Sequence, residues 1–282
     1  MLTLGQTHTL RVVKMTDQGA YVDGKDLGEI LLPRKFCASD LSTNDHVEVF
    51  LYQDSETRLI TTTQTPKACV GEFAYLEAVE NTPFGTFLDW GLDKDLLVPF
   101  AEQHRDMQVG QAYLVHLFTN QADGRITASS KIDKFLSDRA PEDFAPGQAV
   151  DLIIAKTTDL GFKAIINHST WGLLYKDEVN ERLSFGQSTR GFIKFIRPDG
   201  KVDLALGLAQ EVKDQYTSRV LDYLADNNGF APLHDKTDAN KIKQLLGMSK
   251  KSFKKTIGGL FKARLISIEP NGIRLTHRRT KN

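Results

Sequence analysis

Gln18-Gly19-Ala20-Tyr21-Val22, Phe84-Gly85-Thr86-Phe87-Leu88 and Leu160-Gly161-Phe162-Lys163-Ala164 write one pattern three times along a chain of 282 residues. In each copy the glycine is followed by a strand-like stretch. Fourteen residues before each central glycine stands another, at Gly5, Gly71 and Gly147, each followed by Gln or Glu. Twelve residues after it come Leu31-Leu32-Pro33, Leu97-Val98-Pro99 and Leu173-Leu174-Tyr175. Offsets of 66 and then 76 hold through all of these landmarks. Copies two and three stay in register further, through Gly110-Gln111 and Gly186-Gln187 to Asp123-Gly124 and Asp199-Gly200. Landmarks that keep the same spacing within every copy mark a triplicated module.

Each copy reads as short β-strands. His8–Val13, Ala20–Val22, Ile30–Leu32, Val47–Tyr52 and Leu59–Thr62 are β-branched or aromatic and are separated by turn residues. Copy two repeats them as Phe73–Val79, Thr86–Asp89, Leu96–Val98, Tyr113–Phe118 and Ile126–Ala128. Asp-Gly before the last strand of copies two and three suits a tight hairpin, because glycine tolerates positive φ. Five strands with a longer connection after the third fit a small Greek-key barrel of the OB type. A closed barrel has no free edges, which lets three stand in series without edge pairing.

The glycine-centred segments resemble the aromatic-Gly-x-aromatic-apolar signature of S1 RNA-binding domains. In that family the two aromatic positions lie on the outer barrel face and stack on bases. Copy two has both, as Phe84 and Phe87; copy one has Tyr21; copy three has Leu160 and Lys163. The resemblance implies base stacking by Tyr21, Phe84 and Phe87. Read from the residues themselves, Lys163 is a phosphate candidate and Tyr175 and Trp171 are candidate aromatic substitutes in copy three, with packing the favoured role for Trp171. Packing in a barrel end is the competing role for each of these rings. Where S1 domains place a histidine after the third strand, this chain has Pro33, Pro99 and Tyr175.

Residues 211–282 follow a different period. Val212, Tyr216, Val220 and Leu224 are spaced as one helix face that ends at Asn228-Gly229. A second helix is expected over Asp238–Leu246, with Ile242, Leu245 and Leu246 on one face and Gly247 as its stop. Ser249 caps a third, whose Phe253, Ile257, Leu260 and Phe261 are expected on the core side. Two short strands around Glu269-Pro270-Asn271-Gly272 complete a hairpin. Three helices and a hairpin resemble a winged helix. The expected architecture is therefore multidomain and mainly β: S1-like OB barrels over 1–65, 66–139 and 140–210, then an α+β winged helix over 211–282. In that order the modules resemble the conserved virulence factor B (CvfB-like) family. That resemblance implies a bacterial, cytoplasmic, RNA-binding virulence regulator.

Charge adds an independent signal. The chain has 36 Lys+Arg and 36 Asp+Glu, yet residues 1–210 carry 21 basic and 29 acidic side chains and residues 211–282 carry 15 and 7. A basic segment of that density suits a polyanion. Lys250, Lys251, Lys254, Lys255 and Lys262 crowd the third helix, and Arg274, Arg278, Arg279 and Lys281 follow. Lysine favours phosphate contact over base reading, so weak sequence preference and strong salt dependence are expected. Arg58, Arg125 and Lys201 open the last strand of each copy and are further phosphate candidates, with Arg34 and Lys35 behind them.

Other function classes find little support. Cys37 and Cys69 form no CxxC and, with seven scattered histidines, no zinc spacing. Gly19 to Lys25 imitates part of a P-loop, but Asp26 replaces the Ser/Thr and the stretch lies within a hairpin. Asp89, Asp93 and Asp95 lack the spacing of a calcium loop. No apolar run reaches the length of a membrane span. No catalytic motif and no cofactor is expected. The reading is a non-enzymatic, post-transcriptional regulator that binds single-stranded RNA. A transcription regulator that binds duplex DNA through the winged helix, and a protein-interaction scaffold, stay open beside it.

Overall fold

The repeat glycine has a steric reason. Gly19, Gly85 and Gly161 open the second strand of each copy at φ +144°, +149° and +155°. A Cβ there would stand 2.1, 2.3 and 2.0 Å from the carbonyl oxygens of Leu32, Val98 and Leu174 on the adjoining strand. Only a residue without a side chain lets the two backbones cross that closely. A second recurring position takes the left-handed conformation at Asn44, Gly110 and Gly186, whose N–H groups donate to Val12, Ala78 and Ile154. Asparagine does in copy one what glycine does in the others.

In the computed structural model, which describes residues 2–179, 182–207 and 209–276, the strands lie where the periodicity puts them. Copy one comprises β1 (Thr7–Thr16), β2 (Gly19–Asp23), β3 (Glu29–Pro33), β4 (His46–Gln53) and β5 (Leu59–Thr62), closed in the order β1-β2-β3-β5-β4. Copy two comprises β6 (Phe73–Thr82), β7 (Gly85–Asp89), β8 (Leu96–Pro99), β9 (Ala112–Thr119) and β10 (Ile126–Ser129). Its order is β10-β9-β6-β7-β8, and no ladder joins β8 to β10 among the described residues, so the expected closure of every barrel holds by pairing in copies one and three only. Copy three comprises β11 (Ala149–Thr157), β12 (Gly161–Ile166), β13 (Thr170–Tyr175), β14 (Ser188–Ile196) and β15 (Val202–Ala205), closed in the same order as copy one. In each copy the first strand carries a register shift at one place, between Val12 and Lys14, Ala78 and Glu80, and Ile154 and Lys156. Such a bulge bends a strand and increases its twist, which a five-stranded barrel needs in order to curl.

The chain folds as two compact units, Met1–Leu136 and Ser137–Asn282. The first holds copies one and two, joined by a continuous core. Val49 and Leu51 of β4 point into barrel one, whereas Phe50 and Tyr52 point out of it into the core of barrel two. Phe50 meets Trp90 edge-on at 5.6 Å. All four are buried, so β4 reads as an unbroken apolar run, as strands covered on both faces do. Polar bonds reinforce the seam: Lys94 donates to the carbonyls of Gln53 and Asp54 at 2.9 and 2.7 Å, Gln64 to Asp93 at 3.0 Å, and Lys35 pairs with Asp93.

The second unit holds copy three and the helical module. The latter comprises α1 (Ala209–Asp226), β16 (Phe230–Ala231), α2 (Ala239–Leu246), α3 (Lys250–Lys262), β17 (Ile266–Glu269) and β18 (Gly272–Leu275), with sheet order β16-β18-β17. Asp238 caps α2 by accepting from the N–H groups of Asn240 and Lys241, Gly247 ends it at φ +61°, and Ser249 caps α3 through the Ser252 N–H. Its core includes Tyr216, Val220 and Leu224 from α1, Ile242 and Leu246 from α2, and Phe253, Ile257 and Leu260 from α3. Two expected core residues lie outside it: Leu245 is 41% and Phe261 52% exposed. At ~100° per residue Phe261 sits about 80° round the helix from Phe253, past the edge of the buried stripe. The side chain of Val212 lies outside the described residues, as do Arg278, Arg279 and Lys281.

Candidate nucleic-acid interface

The outer faces of the barrels can be compared rung by rung. Crossing from first to third strand, barrel one presents Lys14, Tyr21 and Leu31 as cross-strand neighbours. Barrel two presents Glu80, Phe87 and Leu97, and barrel three Lys156, Lys163 and Leu173. Inward neighbours such as Ala20, Val22, Leu88 and Ala164 are fully buried, so these rungs point outward. Beside Tyr21, the Lys14 ammonium lies 4.6 Å from the ring centroid and pairs with Glu29. Phe84, in the turn before β7, is 77% exposed. Lys163 rests over the buried indole of Trp171 at 4.0 Å and 3.9 Å from Asp138, so its ammonium already has an aromatic and a carboxylate partner.

The cations that open the last strands have acidic neighbours. Arg58 pairs with Asp54 at 2.7 Å and Glu56 at 3.0 Å. Burial pushes the Asp54 carboxyl up, but hydrogen bonds from the Arg58 guanidinium and from backbone N–H groups outweigh it and hold it below its usual value. Lys201 lies 3.4 Å from Asp199, and the Arg125 N–H donates to Asp123. Each of these acids shapes its own hairpin turn, so at the barrel tips a phosphate would compete with a local carboxylate. Tyr175, on β13, accepts from Arg197 at 2.6 Å, and Arg197 pairs with Asp203 at 2.6 Å.

Helix α3 is different. With Phe253 at the centre of the core stripe, Lys251, Lys255 and Lys262 fall within about 40° of one another on the opposite side. They are exposed, with Lys254 beside them, whereas Lys250 is half-buried. Lys254, Lys255 and Lys262 have no ion-pair partner among the described residues, and Lys251 reaches Asp177 of barrel three only at 3.7 Å. On β18 of the hairpin, Arg274 is held by Glu269 at 2.7 Å and stacks on Phe230 at 4.7 Å. The turn itself is only Pro270-Asn271.

A groove of about 1140 Å³ separates α3 from barrel three within this second unit. One wall carries Tyr175, Asp177 and Lys194; the other carries Lys251, Lys255, Ser252 and Gly259 of α3 and Ala263 just after it. Lys194 pairs with Glu178 at 2.6 Å. The groove therefore has lysines along one side and an aromatic ring on the other, which are the elements of a single-strand channel. Among the described residues no group of three or more His, Cys, Asp or Glu could hold a metal ion, and no helix is long and apolar enough to cross a membrane.

Two family models match the chain: an S1 domain over residues 4–64 and a CvfB-like winged helix domain over residues 218–275. Bacillus subtilis (strain 168) has a protein, YitL, that is 30% identical over 276 residues, covering 92% of this chain and 89% of its own length. The chain belongs to the conserved virulence factor B family. A conserved virulence factor B of Staphylococcus aureus (strain USA300) is 24% identical over 258 residues, covering 86% of this chain and 85% of that one. A solved multidomain protein with nucleic acid binding domains from Streptococcus pneumoniae TIGR4 is 23% identical, covers 96% of this chain and 98% of its own, and has a TM-score of 0.40. The modules that place this chain in the virulence factor B family are OB-type barrels and a winged helix, both nucleic-acid-binding folds, and neither matched domain is a catalytic one.

Sequence reasoning singled out Tyr21, Phe87 and Lys163 but passed over their neighbours Lys14, Glu80 and Lys156. The signal was present, since those three are related by the same offsets of 66 and 76. What the sequence did not disclose is the bulge that turns them outward beside the aromatic positions.

Proposed function

We propose that this protein binds single-stranded RNA, chiefly through its C-terminal unit, and acts as a post-transcriptional regulator. The observation that carries the proposal is the exposed stripe of lysines on α3, standing over a groove whose far wall is barrel three. Residues 137–282 hold 24 Lys+Arg and 17 Asp+Glu, so the groove lies in the unit with the positive excess. Lys251, Lys254, Lys255 and Lys262 would hold phosphates, while Tyr175 would offer a ring to a base. Tyr21, with Lys14 beside it, is the stacking candidate of barrel one; Lys163, Arg58, Arg125, Lys201 and Arg274, which lie off α3, and the half-buried Lys250 would be secondary. A single strand suits the groove better than a duplex, because the hairpin is too short and its arginine too engaged to enter a second groove.

The test is a titration of the full-length chain with single-stranded RNA and with duplex DNA at several salt concentrations. Lys251→Glu/Lys254→Glu/Lys255→Glu should weaken RNA binding by about tenfold or more. It should also lower the slope of log affinity against log salt by about 2, as expected for three phosphate contacts on a single strand. Duplex binding that is tighter than RNA binding and lost in the same variant would transfer the reading to a DNA-binding regulator. Unchanged affinity for both would refute a nucleic-acid role for α3.

A further inference from the structure

Barrel two departs from its sister barrels in the charge of its outer face. Glu80 occupies the rung position of Lys14 in barrel one and Lys156 in barrel three. Asp89 ends β7 and Asp95 precedes β8, on the same side of the sheet. Burial, then the charges of Asp89 and Glu80, push the Asp95 carboxyl up, so these carboxylates act on one another. Lys67 pairs with Asp89 at 2.6 Å, but Glu80 and Asp95 have no cationic partner among the described residues.

Next to this acidic lane is an apolar one. Gly85 and Pro99 are paired across β7 and β8, and Phe84 and Phe100 adjoin that pair, 77% and 56% exposed. One step along the same face, Phe87 and Leu97 are cross-strand partners and half-exposed. A nucleic acid stacked on Phe84 and Phe87 would carry its phosphates over Glu80, where like charges repel at short range. The first unit as a whole adds to that repulsion, with 12 Lys+Arg against 19 Asp+Glu in residues 1–136. The complementary ligand has the opposite sign and keeps the apolar contact.

We propose that the outer face of β6, β7 and β8 docks an extended segment of a partner protein, one that presents lysine or arginine to Glu80 and Asp95 and apolar side chains to Phe84, Phe87 and Phe100. This surface is thereby separate from the RNA-binding groove, and barrel two serves recruitment in place of base stacking.

Three probes test it on the full-length protein by fluorescence anisotropy: a short peptide of repeating Lys-Leu-Arg-Phe, the same peptide with glutamate at every basic position, and single-stranded RNA. Wild type should bind the cationic peptide at least about tenfold more tightly than the acidic one. Phe84→Ser/Phe100→Ser and Glu80→Lys/Asp95→Lys should each lower that affinity by about tenfold and leave RNA affinity within about twofold. All four residues have exposed or half-exposed side chains, and an unchanged melting temperature establishes that the variants fold. Lys251→Glu/Lys254→Glu/Lys255→Glu should do the reverse, losing RNA and keeping the peptide, so failure of one site is told apart from failure of the other. No preference for the cationic peptide, or peptide binding indifferent to both variants, overturns the proposal. So does RNA affinity that falls with the phenylalanines and rises with Glu80→Lys, which would make barrel two a stacking platform.

Discussion

A methyl group on Gly85 would sit 2.3 Å from the Val98 carbonyl oxygen, at a backbone angle of +149° that L-residues avoid. Gly28 has a similar conformational demand, φ +77°, but open space around it. The pair therefore separates strain from collision. Gly28, at φ +77° and ψ −158°, lies in a region that only glycine enters freely, so Gly28→Ala should cost about 1–3 kcal/mol. Gly85→Ala adds the collision and should cost about 3 kcal/mol or more. Urea-unfolding midpoints of the two variants measure the difference, and equal losses would contradict it. At this scale the glycine was visible in the sequence as a period, but the carbonyl it accommodates comes from a strand more than ten residues away.

Helix ends were the most legible elements, because capping is local chemistry. Asp238 and Ser249 accept from backbone N–H groups two and three residues ahead, within reach of any reading of the chain. Asp238→Ala and Ser249→Ala should each destabilise the winged helix by about 1 kcal/mol, read from the thermal midpoint. Ser249→Asp should retain the cap and the midpoint. Helix faces were less legible. Leu245 and Phe261 fit an apolar period yet stay exposed, because the width of a buried stripe is set by the elements packed on it. The β-bulges at Val13, Val79 and Ala155 left no local signature either, since a bulge is defined by the partner strand that skips a residue.

At the scale of the whole chain, the seam between the first two barrels is expected to weaken in acid. Hydrogen bonds from Lys35 and then Gln64 hold the Asp93 carboxyl below its usual value. A carboxyl depressed in the folded state contributes stability above its unfolded pKa of about 3.9, and that contribution is lost as pH falls through the lower folded value. The thermal midpoint of the first unit should therefore drop as pH falls from about 5 to about 3, and drop less steeply in Asp93→Asn. Trp90, packed against Phe50 at the seam, reports it by fluorescence in a Trp171→Phe background, where it is the sole tryptophan. Identical pH profiles in the two proteins would show that Asp93 does not support the seam.

The order of modules, the strand positions, the helix caps and the concentration of lysine on one helix were all determined by the sequence alone. Each depends on period, turn chemistry or composition, which are properties of neighbouring residues. The tertiary structure decided the rest. It fused barrels one and two through Phe50 and Tyr52, paired Arg58 and Lys201 with acids of their own turns, seated Lys163 on Trp171, and set α3 across a groove from barrel three. It also placed Glu80 beside Phe87, where the other barrels have lysine. Whether a charged or aromatic side chain is free to meet a ligand depends on what folds against it, and that partner is usually distant in the chain.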